Sequence, residues 1–215
     1  MSIIQRKHIY NAIQICNTLS YQIVFAMAKD YKEQLNKLVE KKKKEIPTAQ
    51  SDDAIKNIFE TGAHAHCRFD AIARMYHYQI ARSKNPFYFE RAYYYPFAVN
   101  IDVLHEMAAA LIHFTDFTSF SKKKTQVKSF ACNTKSSRWI IEKNIWRYEI
   151  TADRFLRGMV KGLVGTMLRL AKNNKDVSEL KKIVETRNHA VADFSVPSDG
   201  LFLTAVVFNN DIIEK

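Results

Sequence analysis

The chain has 215 residues, 47% hydrophobic and 12% aromatic, and a formal net charge of +11. That is enough for one domain or two small ones with a self-sufficient core, and the charge points to a polyanionic partner, nucleic acid or an anionic membrane surface. No stretch approaches the ~18 consecutive apolar residues of a membrane span, MSIIQRKHIYNAIQ lacks the apolar core of a signal peptide, and the scattered Cys16, Cys67 and Cys132 suggest neither a disulfide framework nor a zinc site, which fits a reducing, cytoplasmic setting.

Residues 1–60 form a basic segment expected to be mostly helical. Val24, Met27, Tyr31, Leu35 and Leu38 recur every three or four positions, the spacing of an amphipathic helix. Lys41 to Lys44 followed by Pro47 reads as a solvated helix end and a loop. From residue 66 the pattern turns to strands. HCRFDAIARMYHYQIARS ends in alternation, with Tyr76, Tyr78 and Ile80 on one side and His77 and Gln79 on the other. The aromatic, proline-bounded NPFYFERAYYYPF (85–97) reads as a loop or edge segment. NIDVLHEMAAALIHF (100–114) is predicted to be helical, with Val103, Met107, Ala110 and Leu111 on one face.

A hairpin follows, with Arg138–Glu142 and Ile145–Ile150 flanking a polar turn and Trp146, Tyr148 and Ile150 sharing a face. ADRFLRGMVKGLVGTMLRLAKNN (152–174) is predicted as one helix. NKDVSELKKIVETRN carries Asp176 and Glu179 at the spacing of a capping box, with Leu180, Ile183 and Val184 as its apolar stripe. GLFLTAVVF (200–208) has no polar alternation and suits a strand covered on both faces. Strands and helices mix without a βαβ rhythm, so the expected class is α+β, with 61–215 as a domain distinct from 1–60.

The helix of 152–174 raises a question of its own. At ~100° per residue, Phe155, Leu156, Met159, Val160, Leu163, Val164, Met167, Leu170 and Ala171 fall in one half. Arg154, Arg157, Gly158, Lys161, Gly165, Arg169 and Lys172 fall opposite, with Gly162 at the border. Glycine inside a helix costs roughly 1 kcal/mol against alanine. A face of cations and bare backbone is therefore expected to admit a close neighbour, either the chain's own loops or the phosphates of an RNA.

Four ordered stretches resemble one family, the TruA-type tRNA pseudouridine synthases. AHCRFDAIARMYHY (65–78) is similar to the family's HARFxATARxYxY, DFTSFSK (116–122) to its DFTSF, ADRFLRGMVKGLVGTML (152–168) to RxFLRxMVRxIVGTLL, and SVPSDGLFL (195–203) to xAPAxGLFL. The resemblance implies the pseudouridine synthase fold, a mixed, mostly antiparallel sheet flanked by helices. It implies RNA, above all tRNA, as partner, and isomerisation of uridine in the anticodon stem-loop. No cofactor and no metal is implied, and a homodimer or larger complex is. By position, Tyr76 matches the family's base-stacking tyrosine and Leu201 the apolar residue of the same pocket. Arg68 and Arg74 match arginines of the first motif. Arg154, Arg157 and Lys161 are the cations expected to meet RNA, Lys161 standing where the family carries arginine.

The family's catalytic aspartate lies in a GRTDxGVHA loop, and this sequence contains no such stretch, nor the family's YDGxxYxGWQ motif. NTLSYQIVFA (17–26) resembles the family's residues just after that loop, which would place Asn17 at the aspartate position, and an amide cannot replace the carboxylate. Asp30, Asp52 and Asp53 lack a comparable context and read as surface residues. His64 and His66 beside Cys67 have no second cluster to complete a metal site. The expectation is a degenerate synthase that keeps RNA binding. The alternative is a structural or interaction subunit of a ribonucleoprotein assembly without catalysis.

Overall fold

A computed structural model describes residues 65–122, 127 and 129–209. Asn17, the helix expected around Val24–Leu38 and the Lys41–Lys44 run lie outside the described residues. Those described belong to two compact units, 65–72 with 203–209, and 73–202.

Strand β1 (Ala71–Ala81) pairs antiparallel with β4 (Ile145–Ala152), which pairs antiparallel with β3 (Thr134–Ile141). A two-residue strand β2 (Tyr93–Tyr94) runs parallel to the end of β1, through Ile80↔Tyr93 and Ala81↔Tyr94. Strand β5 (Leu201–Phe208) also pairs with β1, and just before it the Gly200 carbonyl accepts from the Gln79 N–H at 2.8 Å. The sheet is mixed and mostly antiparallel, as the α+β reading expects.

Alternation along the strands sorts the two sheet faces. Tyr78 and Ile80 of β1, Trp139 of β3, and Trp146, Tyr148 and Ile150 of β4 are buried in one core. Trp139 and Tyr148 meet with ring centroids 5.0 Å apart. Large aromatics at facing positions give a sheet both area and register. Helices α1 (Ile101–Ala110), α2 (Met159–Lys172) and α3 (Val177–Thr186) pack on one another, α1 also against β3.

Local chemistry sets the helix limits. Asn100 caps α1 by accepting from the Asp102 and Val103 amides. Its buried stripe is Leu104, Met107, Ala108 and Leu111, so Val103 and Ala110 of the expected face are only half-buried. Asp176 caps α3 as its spacing predicts, but Glu179 Oε1 turns to Lys182 at 2.7 Å, leaving the reciprocal half of the capping box to that ion pair.

Helix α2 begins seven residues later than the pattern suggests. Ala152 ends β4 opposite Arg74 and Thr134, and Gly158 stands at φ +81°, a left-handed conformation that places the chain for a helix start at Met159. Arg154 and Arg157 therefore sit on an irregular connection and not on the helix wheel. β5 is half-buried from Leu201 to Val206, less covered than its unbroken apolar run implies. Among the described residues, no helix is long and apolar enough to cross a membrane.

Candidate functional site

Tyr76 lies in the middle of β1, opposite Ile150, at the margin of the core. Its ring meets Phe155 edge-on, with centroids 4.8 Å apart and an interplanar angle of 75°. Burial pushes its phenol above the usual range, and the Arg74 charge opposes that only in part. Tyr76 is thus a neutral, partly covered π-surface.

Leu201 opens β5 beside the same core. The turn before it is pinned to β1 by three contacts. The Tyr78 hydroxyl donates to the Pro197 carbonyl at 2.7 Å, Gln79 donates to Gly200, and Leu201 N–H closes the turn on the Ser198 carbonyl at 2.9 Å. Gly200 is required here, since a Cβ would overlap the Gln79 carbonyl. Tyr76 and Leu201 are thereby held in one frame.

Lys161, in the first turn of α2, donates from Nζ to Ser198 Oγ at 3.2 Å, tying the helix to that turn. Burial and the neighbouring Lys122 push its ammonium below the usual lysine range, and Asp199 partly restores it. Lys122 sits on the Arg157 carbonyl through its own N–H, 2.9 Å, and lays its methylene stem over Gly158. A Cβ at Gly158 would come 2.9 Å from Lys122 Cγ. Two lysines therefore flank the N-terminal end of α2 beside the turn of Ser198 and Asp199. A concentration of positive charge at a helix start is what an anion would stabilise.

The other predicted cations separate. Arg74 Nη1 donates to the Asp153 carbonyl, holding β1 to the chain after β4. Arg154 is half-buried and its charge bears on Cys132. Arg157 is exposed but precedes α2, so it does not stand one helical turn from Lys161. Arg68 is exposed in the smaller unit, with its guanidinium 5.7 Å from the Phe69 ring centre.

The bare side of α2 is largely filled by the chain itself. A Cβ at Gly162 would lie 2.7 Å from the Phe194 ring, and one at Gly165 would overlap the Asp193 carbonyl. The Asp193 amide donates to Thr166 Oγ1 at 2.9 Å, and Arg169 Nη2 reaches the Val191 carbonyl at 2.7 Å. The close neighbour of these glycines is the segment 191–194, not a phosphate. Among the described residues, the two ends of this side, at Lys161 and at Lys172, are not filled by that segment.

One carboxylate is conspicuous and belongs elsewhere. Glu149 stands opposite His77 and Arg138, with its side chain on the sheet face away from the core. Arg138 gives Oε2 two bonds of 2.8 and 2.6 Å, Arg147 gives Oε1 one of 3.0 Å, and His77 Nε2 lies 3.2 Å from Oε1. Burial alone would raise this carboxyl, but the Arg138 hydrogen bond and the three surrounding charges hold it below the usual range. A carboxylate so saturated with donors is a structural pin. Among the described residues no group of three or more His, Cys, Asp or Glu could hold a metal ion.

Sequence reading missed Lys122, Ser198 and Phe155 as site members. Phe155 and Lys122 lie within the family motifs, but nothing in their spacing shows that Phe155 meets Tyr76 or that the Lys122 stem covers Gly158.

A family model described as tRNA pseudouridine synthase matches residues 107–209. The chain is similar to proteins named tRNA pseudouridine synthase A in several bacteria. It is 37% identical over 164 residues to that of Azobacteroides pseudotrichonymphae, covering 76% of this chain and 66% of that one. It is 34% identical over 183 residues to that of Parabacteroides distasonis, covering 85% and 73%. It is 36% identical over 181 residues to that of Bacteroides fragilis, covering 84% and 71%. The chain thus spans about two thirds to three quarters of the length of these relatives.

Proposed function

The chain belongs to the tRNA pseudouridine synthase family, and from that premise we propose that it binds tRNA at the anticodon stem-loop and seats a uridine against Tyr76 and Leu201. The observation that carries the reading is the Lys161–Ser198 bond. It couples a cation at the start of α2 to the turn that leads into Leu201, which Tyr78 and Gln79 fasten to β1 beside Tyr76. A π-face, an apolar wall and a phosphate-attracting charge on connected elements support this reading. Stacking on such a ring is worth roughly 1–3 kcal/mol per base, enough to offset much of the cost of lifting a base from its neighbours.

The family reaction breaks the bond between C1′ and the base nitrogen, turns the uracil and rejoins C1′ to a ring carbon. It needs a carboxylate near the sugar. Glu149 cannot serve, because it faces away from Tyr76 and its oxygens are occupied. The G-R-T-D loop that supplies the family's aspartate is not in this sequence. We therefore assign this chain RNA binding without isomerisation on its own, as a degenerate member of the family.

Incubation with unmodified tRNA, then chemical mapping of pseudouridine, tests the reading. The expected result is tRNA binding that weakens with salt and no turnover. Turnover that survives Asn17→Ala would overturn the degenerate assignment. No tRNA affinity at low salt would favour the interaction-subunit alternative.

A further inference from the structure

Between β1 and α1 the chain displays aromatic rings that the core does not use. Phe87 is 84% exposed, Phe89 75%, Phe97 49% and Tyr94 41%. Large apolar groups rarely stand this open together without a partner. Their display is built, not slack. Asn85 Oδ1 accepts from the Phe87 amide at 3.0 Å, Pro86 sets the first position of a 3-10 turn, and Tyr88 and Phe89 N–H close onto Asn85 and Pro86. The Tyr88 carbonyl then takes both the Arg91 and Ala92 amides. Arg82 anchors the return of the loop, stacking 4.0 Å over the Trp146 ring and donating to the Tyr95 and Phe97 carbonyls.

Cations are set among these rings. Lys172 Nζ stands 3.8 Å from the centre of Phe97, Lys84 Nζ stands 5.8 Å from that of Tyr94, and Arg91 is exposed, two residues on from Phe89. Glu90 is the acidic residue of the segment 84–97. The segment therefore offers exposed rings at Phe87 and Phe89 and positive charge beside Tyr94 and Phe97.

We propose that residues 84–97 with Lys172 form a stacking platform for unpaired RNA bases, a contact surface separate from the Tyr76 pocket. It rests on the proposed RNA binding. Phosphates of the strand meet Lys84, Arg91 and Lys172, and bases stack on Phe87 and Phe89, the combination that sequence-tolerant single-strand binding requires. A second copy of the chain fits less well. A two-fold contact through this surface would gather Lys84, Arg91 and Lys172 of both copies into one interface, in a chain of net charge +11. Lys172 closes α2 and Lys161 stands in its first turn, so eleven residues of helix, roughly 16 Å at ~1.5 Å per residue, separate the two sites along one rigid element. That is the reach of a few nucleotides, and one strand can touch both.

The test uses the full chain and two probes, a single-stranded uridine dodecamer and a duplex RNA of equal length. The double variant Phe87→Ala/Phe89→Ala should weaken single-strand binding about tenfold or more. Duplex binding and the salt dependence should change little, because rings and not charges are removed. Thermal unfolding should not shift, since both side chains lie outside the core. As an independent readout, Phe87→Trp should have its fluorescence quenched by the single strand, against native Trp139 and Trp146 that are buried. Unchanged affinity and no quenching, in a chain that binds tRNA, would overturn the platform and leave the pocket reading intact. A double variant that loses self-association but keeps RNA affinity would also overturn it, in favour of a second copy. No RNA binding by the wild type would overturn both readings.

Discussion

The bare side of α2 and the aromatic turn of 84–97 look alike in the sequence and behave in opposite ways in the fold. Each sets cations among residues unsuited to plain solvent exposure, glycines in one and phenylalanines in the other. In α2 the chain fills its own gap, with Phe194 against Gly162 and the Asp193 carbonyl against Gly165. In the turn the rings stay open, although hydrogen bonds hold the backbone that carries them. Missing side chains therefore marked a packing seam, and surplus side chains marked an unfilled surface. At the start of α2 the Lys122 stem lies over Gly158, so that glycine too has a neighbour from the chain itself.

Substitution at the seam gives the largest expected effect. Were the glycine side of α2 open, Gly165→Ala would stabilise the helix by about 1 kcal/mol. Because a Cβ meets backbone there, the variant should instead lose about 2–3 kcal/mol. Gly162→Ala should lose less, since it presses on a ring that can tilt. Urea denaturation reads both, and a gain in stability at Gly165 would break the contrast between seam and open surface.

The Glu149 cluster is a second place where the chain satisfies itself. Glu149→Gln should cost about 1–3 kcal/mol near neutral pH, as the loss of a charged partner from a covered hydrogen-bonded group. The folded state holds this carboxyl below its ordinary 4.5, so its contribution is present above that value and is lost as pH falls through the lower, folded one. His77 is also held below its ordinary 6.5, chiefly by burial, so acid further favours the unfolded chain as pH falls below that value. Stability against pH should thus fall in two stages for the wild type, and the carboxylate stage should shrink but persist in Glu149→Gln, because Asp116 and Asp176 are also held below their ordinary value by hydrogen bonds from Thr118 and Ser178.

Tyr78→Phe tests the fastening of the site turn. It removes the hydroxyl bond to the Pro197 carbonyl and should cost about 1 kcal/mol in thermal unfolding. It should also loosen the turn that bears Ser198 and Leu201. Lys122→Met is the mildest change. Its stem still covers Gly158, so stability should move by less than about 0.5 kcal/mol. Removal of its charge should lower the salt slope of tRNA binding by about one. An unaltered slope would leave Lys161 as the cation of that end.

Much of this was legible in the residues. Alternation placed Tyr78 and Ile80 inside and His77 and Gln79 on the other face, and the hairpin, α1 and α3 lie where their patterns put them. The ordered motifs identified the family. The start of α2 was misplaced because a helical spacing of apolar residues runs back through Phe155 and Leu156, while only Gly158's left-handed backbone shows where the helix begins. The wheel sorted α2 into an apolar and a bare half, yet it could not show that 191–194 returns to the bare half. Lys122 gave no signal, since its role depends on where its stem lies.

What the sequence alone determined is which side of each strand and helix is apolar, where α1 and α3 are capped, and which family motifs are present. These depend on neighbours within a turn or two, where geometry is periodic. What only the tertiary structure decided is the partner of each surface, such as Phe194 for Gly162, Ser198 for Lys161, three basic side chains for Glu149, and none from the core for Phe87 and Phe89. Burial is driven by area without direction, and a glycine carries no group to name its neighbour. Such pairings appear only when distant segments are brought together.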